Sequence, residues 1–219
     1  MKKTILIFVL NSIFIPFVKS SAWQGQWLST FGKINFIEYQ TGYKDINLLF
    51  GNYAKNGFMV GVSIANEMHG VFYDAKLRKE GEFVFKLDEK KSSYKGEWHF
   101  DDIDKRLKWN GSKVLESKIL PVIGIDRYRN IEGTWDTNFG QLVLSQEDAY
   151  VKGKYDDKGE IHAIFNQENG VVFGFFTNKD RWGLLKFKLN KEKQDFKGQW
   201  TWETNAWSNQ KWDGKKLDI

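Results

Sequence analysis

Cysteine is absent from the 219 residues of this chain. The protein can therefore form no disulfide bond and no metal site built on thiolates. Histidine is also scarce, because His69, His99 and His162 are the only three. They stand far apart in sequence, and no pair has the spacing of a zinc site, so we expect no metal and no cofactor.

Sequence signals of catalysis are missing as well. No glycine-rich phosphate loop precedes a helix, and no segment has a helical pattern. Two acidic groups, Asp101-Asp102 with Asp104 and Asp156-Asp157, have the chemistry to hold calcium or to cleave a glycoside. Both stand at expected hairpin turns, where aspartate is favoured. The sequence therefore favours a protein that is not an enzyme, and a hydrolase is the least favoured alternative.

Proline occurs only twice, as Pro16 and Pro121. Because proline cannot donate a hydrogen bond to a sheet ladder, the long proline-free stretches suit antiparallel sheets. Pro121 lies in an apolar segment, 115–130, which we expect to be an extended connection packed on the domains that it joins. Aromatic residues are abundant instead: 18 Phe, ten Trp and eight Tyr supply a large core without disulfides.

The N-terminal segment, 1–22, predicts export. Lys2 and Lys3 precede an apolar run over 4–18, and Ser20-Ser21-Ala22 supplies the small residues that a signal peptidase requires. The run is too short for a typical membrane span. We expect cleavage after Ala22 and a mature chain in the periplasm or outside the cell; the alternative is an N-terminal membrane anchor.

The net charge gives little reason to expect a nucleic-acid partner. The formal charge is +5, from 33 basic and 28 acidic residues. Three basic residues, Lys2, Lys3 and Lys19, lie in the predicted signal peptide, so the mature chain carries a charge of about +2. We expect no nucleic-acid partner, and no membrane-spanning part once the signal peptide is removed.

Two similar copies follow the predicted signal peptide. Gly25-Gln26-Trp27, near the start of the first copy, matches Gly133-Thr134-Trp135 near the start of the second. Further recurrent tryptophans follow in the same order: Trp98 and Trp109 in the first copy, and Trp200 and Trp212 in the second. We therefore divide the chain into a signal peptide (1–22), a first repeat (23–114), the connection (115–130) and a second repeat (131–219).

Hydrophobic and polar residues alternate within each copy. In 184–189, Leu185, Phe187 and Leu189 share one face, while Lys186 and Lys188 share the other, which we expect to face water. The second copy has eight strand candidates between 133 and 216, enough to close a small barrel. The sequence predicts an all-β protein of two tandem antiparallel meanders, each a small eight-stranded up-and-down barrel. The alternative is one larger barrel or sandwich shared by both copies.

The start of each copy resembles the avidin-like barrels. That family begins with a Gly-Thr-Trp strand, a loop ending in glycine and a Gly-x-Tyr strand, and the second copy has Gly133-Thr134-Trp135, Gly140 and Gly153-Lys154-Tyr155 in this order. The resemblance covers only the opening segment of each copy, and it implies an up-and-down barrel. It does not imply biotin. The family's biotin-binding serine corresponds to Gln141 and Lys33, its loop asparagine corresponds to Thr137 and Ser29, and only Tyr53 and Tyr155 match.

The tryptophans fall into two groups. Six of the ten recur between the copies, and we expect these to lie in the cores. Trp182 and Trp207 do not recur, and the alternating direction of a meander places both in loops at one end of the second barrel, with Asn138, Asp156 and Arg181. Aromatic faces stack on a ligand while polar groups orient it, so these five residues form the candidate ligand site. The alternative is that the two tryptophans cover the barrel as lids.

The sequence therefore favours a secreted or periplasmic binding protein without enzymatic activity. Its expected partner is a small ligand, a glycan or another protein. The main alternative is a structural or accessory protein of the cell envelope that acts through its surface.

Overall fold

A computed structural model of the chain describes residues 22–54, 57–114, 130–207 and 210–217. Within these ranges the chain forms strands and no helix. The predicted signal peptide, except Ala22, and residues 115–129 of the predicted connection lie outside the described residues. The cleavage site and the packing of the connection therefore stay predictions.

The first copy folds into a closed antiparallel barrel. Strand β9 lies between β1 and β7, and β6 pairs with β7, so eight strands close the barrel, while the short strand β8 adds a pairing on β7. The strands are β1 (Gly25–Ser29), β2 (Gly32–Gln40), β3 (Ile46–Tyr53), β4 (Gly57–Ile64), β5 (Glu67–Asp74), β6 (Lys79–Leu87), β7 (Ser93–Phe100), β8 (Leu107–Lys108) and β9 (Gly111–Lys113).

The second copy forms another closed barrel, whose last strand pairs with its first. The strands are β10 (Gly133–Thr137), β11 (Gly140–Glu147), β12 (Tyr150–Tyr155), β13 (Gly159–Asn166), β14 (Val171–Asn178), β15 (Arg181–Leu189), β16 (Asp195–Trp202) and β17 (Gly214–Lys216). The prediction of two tandem eight-stranded barrels is confirmed. The alternative of one shared barrel or sandwich is wrong.

The two barrels have the same register at their first hairpin. Trp27 pairs with Ile34, and Trp135 pairs with the equivalent Leu142. The loop between these strands ends at a glycine with positive φ, which is 97° at Gly140. Residues with a side chain rarely adopt this conformation, so the glycine sets the turn and thereby the register.

Aromatic side chains fill both barrels. Five of the six recurrent tryptophans are buried, and Trp98 is half-buried. The five are Trp27 and Trp109 in the first barrel, and Trp135, Trp200 and Trp212 in the second. Each aromatic side chain buries a large apolar area, so these residues hold together a chain that has no disulfides.

Recurrent glycines allow aromatic rings to lie flat on neighbouring strands. Gly96 pairs with Phe85 across β6 and β7, and a Cβ atom on Gly96 would stand 2.3 Å from the ring. Gly198 pairs with Phe187 in the same way, at 2.4 Å. Any larger residue at either glycine would displace the ring from the core.

The outer faces of the two barrels pack against each other. The contact is a group of buried apolar side chains, here called the inter-barrel cluster. The strands that supply them carry apolar residues on both faces, because one face covers the barrel core and the other is covered by the second barrel. Its members are Ile46, Leu48, Phe50, Val60, Val62 and Val71 from the first barrel, and Ala149, Ile164, Val171, Phe173, Phe175, Trp182 and Leu184 from the second.

The prediction that Lys186 and Lys188 face water is wrong for Lys186. Its Nζ lies 2.9 Å from Asp101 Oδ2 and 3.6 Å from Glu82 Oε1, and its side chain is 15% exposed. Lys188 is about half exposed and pairs with Glu80. All three acids belong to the first barrel, so the polar face of β15 meets charged groups of the other barrel.

Candidate functional site between the two barrels

The structure places the five residues of the sequence-predicted site in two groups, three at the mouth of the second barrel and the two tryptophans at the inter-barrel cluster. Asn138 Nδ2 donates to Lys211 O at 3.0 Å, and Asn138 Oδ1 accepts from Asp213 N at 2.9 Å. Asp156 Oδ1 accepts from Gln141 N at 3.2 Å. The polar ends of both side chains therefore hold loops together at the β10–β11 end of the second barrel.

Arg181 lies at the same end of the second barrel, at the start of β15. Its guanidinium stacks on the ring of Trp202, with Cζ 3.7 Å from the ring centroid. Trp202 in turn packs against the barrel core. A cation over a tryptophan face is attracted by the ring electrons, so Arg181 covers this part of the core.

The predicted position of Trp182 in a loop is wrong. Strand β15 begins at Arg181, so Trp182 is the second residue of the strand and pairs with Thr177. Its indole is 9% exposed and belongs to the inter-barrel cluster. Trp182 therefore packs between the barrels and not over the mouth of the second one.

Aromatic residues of the second barrel fill its mouth. Thr137 Oγ1 donates to Gly140 O at 2.6 Å and accepts from Trp212 Nε1 at 3.3 Å. The ring of Phe139 lies edge-on to Trp200 and Trp212, with centroid distances of 5.8 and 5.1 Å. The first barrel repeats this arrangement with Ser29, Phe31, Trp98 and Trp109. Both mouths are thus packed by recurrent core residues.

A cleft between the barrels is the strongest candidate for a ligand site. Its volume of about 330 Å³ is near the lower end of the range for ligand pockets. The first barrel contributes His69, Gly70, Glu82, Phe83, Val84, Glu97, His99 and Arg106, and the second contributes Phe173, Leu184 and residues 204–207. We call this space the inter-barrel cleft.

Carboxylate and imidazole groups line the polar side of the inter-barrel cleft. Glu82 Oε2 lies 3.8 Å from His99 Nε2, and Glu82 Oε1 lies 3.6 Å from Lys186 Nζ. His99 Nδ1 donates to Phe100 O at 3.0 Å. This bond holds the imidazole in place and leaves Nε2 on the side of Glu82.

Arg106 and Trp207 add a cation and an aromatic face. Arg106 Nη1 lies 3.9 Å from Glu97 Oε2, and both side chains are more than half exposed, so they can exchange this contact for one with a ligand. Trp207 is half-buried against the inter-barrel cluster, and its ring centroid lies 6.3 Å from that of Phe173. Of the two tryptophans in the sequence-predicted site, Trp207 is the one that lines this cleft.

His69 forms part of the inner wall of the inter-barrel cleft. Burial lowers its pKa below the usual value, and Glu67, whose Oε2 lies 3.5 Å from His69 Nε2, opposes this shift. The imidazole is therefore neutral at pH 7, with one ring nitrogen able to donate a hydrogen bond and the other able to accept one.

A wider groove continues from Trp207 along β15 and β16, with a volume of about 1040 Å³. It is lined by Asp101, Asp104, Lys186, Lys188, Lys197, Gly198, Gln199, Trp207, Lys211 and Asp213. Lysines and aspartates pair along it, as Lys197 Nζ does with Asp213 Oδ2 at 3.1 Å. Because the charges offset one another, the groove presents a polar surface without a dominant sign.

The architecture defines the class of this protein as a tandem pair of closed eight-stranded barrels. Comparisons with known proteins add no family to this description. No family model, no curated protein and no solved structure matches the chain. In the part of the chain that the structure describes, no helix is long and apolar enough to cross a membrane. Across the same residues, no group of three or more His, Cys, Asp or Glu side chains is placed to hold a metal ion.

The side of the cleft that the first barrel provides could not be predicted from the sequence. Glu82, Glu97, His99 and Arg106 belong to the first copy and Trp207 to the second, and no motif connects them. One signal was available: β14 is apolar on both of its faces, which is typical of a strand whose outer face is also covered. This signal indicates a covered outer face without identifying the element that covers it.

Proposed function

We propose that this chain is an exported, non-enzymatic binding protein whose ligand site is the inter-barrel cleft. The observation that carries the proposal is the position of Trp207 beside the pairs Arg106–Glu97 and His99–Glu82. Such a combination recognises sugars, because CH groups of a sugar ring stack on the indole while its hydroxyls bond to carboxylate, imidazole and guanidinium. The proposed ligand class is a short saccharide.

The charge balance of the cleft supports an uncharged or weakly charged ligand. Glu82 faces His99 and Lys186, and Glu97 faces Arg106, so neither sign dominates. A strongly charged ligand would have to break these pairs, whereas a hydroxyl group can join them as both donor and acceptor.

The dimensions also support a small saccharide. A volume of about 330 Å³ suits a mono- or disaccharide. The wider groove begins at the same tryptophan, Trp207, so the remainder of a longer chain would run along β15 and β16. Its paired lysines and aspartates offer many polar contacts of the kind that orient a ligand.

We also propose that the barrels share the strand order of the avidin-like family without sharing its ligand. Gln141 and Lys33, at the positions of the family's biotin-binding serine, are exposed. Thr137 uses its hydroxyl to hold Trp212. Tyr155 donates its hydroxyl to Thr177 O at 2.6 Å inside the barrel. These contacts support a barrel interior that serves as a core.

Tryptophan fluorescence tests the proposed ligand class. The purified protein would be titrated with neutral oligosaccharides of glucose and of N-acetylglucosamine, and with uronic acid oligomers. We expect a saturable change with at least one neutral oligosaccharide, because Trp207 would contact it. Absence of a saturable change with every saccharide would contradict the proposal and favour an accessory protein that acts through its surface.

A matched pair of arginine variants tests the position of the site. Arg106→Ala should weaken saccharide binding by about 1.5–3 kcal/mol, the value of a hydrogen bond to a charged group. Arg181→Ala, at the mouth of the second barrel, should leave the affinity unchanged. The reverse result would move the site to the barrel mouth.

A further inference from the structure

Glu38 lies at the end of the first barrel where the predicted mature chain begins. It follows Ile34 and Phe36 on the inward positions of β2, and both of those residues are buried. Asn47 Nδ2 donates to Glu38 Oε1 at 2.7 Å. The second oxygen, Oε2, is buried, and no donor among the described residues stands in regular hydrogen-bond geometry to it. It can therefore accept a further hydrogen bond.

Trp23 is held in the core at the same end of the barrel as this carboxylate. Burial raises the pKa of Glu38, while Asn47, Lys113 and the backbone N–H of Trp23 lower it. Trp23 is 1% exposed, and its carbonyl accepts from Trp27 Nε1 at 2.8 Å. The barrel core thus fixes the backbone of residue 23 at the end of the barrel where Glu38 lies.

In the second barrel, a neutral glutamine stands at the position equivalent to Glu38 and binds a backbone N–H group. Ile131 is the equivalent of Trp23, and its carbonyl accepts from Trp135 Nε1 at 3.2 Å. Its N–H donates to Oε1 of Gln146 at 3.0 Å, and Gln146 is the equivalent of Glu38, at the same offset as Trp135 from Trp27. Ile131 is an internal residue, so its nitrogen is a neutral amide and its partner is also neutral. The first barrel has a carboxylate at the equivalent position.

We propose that Glu38 is a binding site for the α-ammonium group that cleavage after Ala22 creates on Trp23. The inference rests on the predicted cleavage and is independent of the proposed saccharide site. Hydrolysis of the Ala22–Trp23 peptide bond converts an amide nitrogen with one hydrogen into an ammonium group with three, and it leaves a carboxylate on Ala22. The ammonium group gains a charge-assisted hydrogen bond to Glu38, so cleavage completes this end of the barrel.

Lys113 is a charged group at the same end of the barrel, and its charge acts on Glu38. Its Nζ donates to Ala22 O at 2.9 Å and lies 5.4 Å from the ring centroid of Trp27. Burial lowers the pKa of Lys113, and Glu38 opposes this shift. Cleavage removes the carbonyl of Ala22, after which Lys113 keeps its contact with Trp27. Glu38 then faces two cations, which favours its ionised form.

Glu38→Gln in two forms of the chain tests the proposal. One form is released from a fusion partner to begin at Trp23, and the other begins at Ser21. In the form that begins at Trp23, Glu38→Gln should lower the Tm by at least about 3 °C, because the ammonium group loses its partner. In the longer form, the Tm should stay unchanged or rise, since glutamine suits an amide N–H as Gln146 does. Gln146→Glu, the matched control, should lower the Tm equally in both forms.

Equal Tm shifts of Glu38→Gln in the two forms would overturn the proposal. A second measurement is the rate at which acetic anhydride acetylates the Trp23 amino group near neutral pH. The rate should be about tenfold or more below that of a peptide beginning with the same residues, because a nearby carboxylate raises the pKa of the amine. A rate equal to that of the peptide would overturn the proposal even where Glu38→Gln fails to fold.

Discussion

Tyr39 of the first barrel stacks on Tyr150 of the second, with ring centroids 6.0 Å apart and an angle of 20° between the planes. The row continues from Tyr150 to His162 and from His162 to Phe175, and it returns to the first barrel at Tyr43. Rings from both barrels therefore belong to one packed interface with the inter-barrel cluster. A titratable group, His162, stands at the centre of the row.

Acidification is expected to destabilise this interface. Burial lowers the pKa of His162, Glu160 opposes the shift, and Lys152 adds to it. A histidine with a lowered pKa is protonated first in the unfolded state, so its contribution to stability is complete above about pH 6.5 and is lost as the pH falls below it. We predict a lower Tm at about pH 5.5 than at about pH 7.5, and a smaller difference in His162→Gln.

The double variant His69→Gln/His162→Gln is the control for this pH dependence. Burial lowers the pKa of His69 as well, so both histidines act with the same sign. The double variant should show a still smaller difference in Tm between the two pH values. A wild-type Tm that stays constant or rises on acidification would contradict the lowered pKa of these two histidines.

Trp182→Ala should destabilise the protein by about 3–5 kcal/mol, as large aromatic residues do when they are deleted from packed sites. The reason is the burial of its indole between the barrels. Trp207→Ala should cost clearly less, because Trp207 is only half-buried. Denaturant unfolding measures both changes, and a loss under about 1 kcal/mol for Trp182→Ala would argue against the interface.

Lys186→Met should destabilise the protein by about 1–3 kcal/mol, because it leaves Glu82 and Asp101 at the interface without their cation. Lys188→Met is the matched control on the same face of β15. Its ion pair with Glu80 is about half exposed and should contribute about 0–1 kcal/mol. Equal losses from the two variants, measured by denaturant unfolding, would contradict the buried position of Lys186.

The individual barrels could be predicted from sequence, because every second residue of a strand faces the barrel interior and is apolar. Leu185, Phe187 and Leu189 all lie in the second core, as their alternation predicted. The recurrence of tryptophan and glycine showed that the chain folds the same way twice. Strand direction also placed Asn138, Asp156 and Arg181 at one end of the second barrel, since it depends only on the order of the strands.

The packing of one barrel against the other could not be predicted, because the sequence of a strand does not show which surface covers its outer face. Lys186 has the pattern of a solvent-facing lysine, and its partners Glu82 and Asp101 stand in the other copy. The sequence predicts that this strand begins at residue 183, whereas β15 begins two residues earlier and includes Trp182. The alternation of residues 184–189 is the same for either starting point, so it does not locate the start of the strand. The inter-barrel cleft could not be predicted either, because each barrel supplies only one of its walls and no sequence pattern shows which surfaces meet.

The affinities of Trp207→Ala and Trp202→Ala for a saccharide decide whether the ligand site is the inter-barrel cleft or the mouth of the second barrel. Trp207 lines the inter-barrel cleft, whereas Trp202 lies under Arg181 at the mouth of the second barrel. Calorimetric titration would use the saccharide that gives the largest change in fluorescence. We predict that Trp207→Ala weakens binding by about 1–3 kcal/mol, as at other aromatic contact sites, and that Trp202→Ala leaves the Kd unchanged. Lost binding in Trp202→Ala with unchanged binding in Trp207→Ala would contradict this prediction and place the site at the barrel mouth.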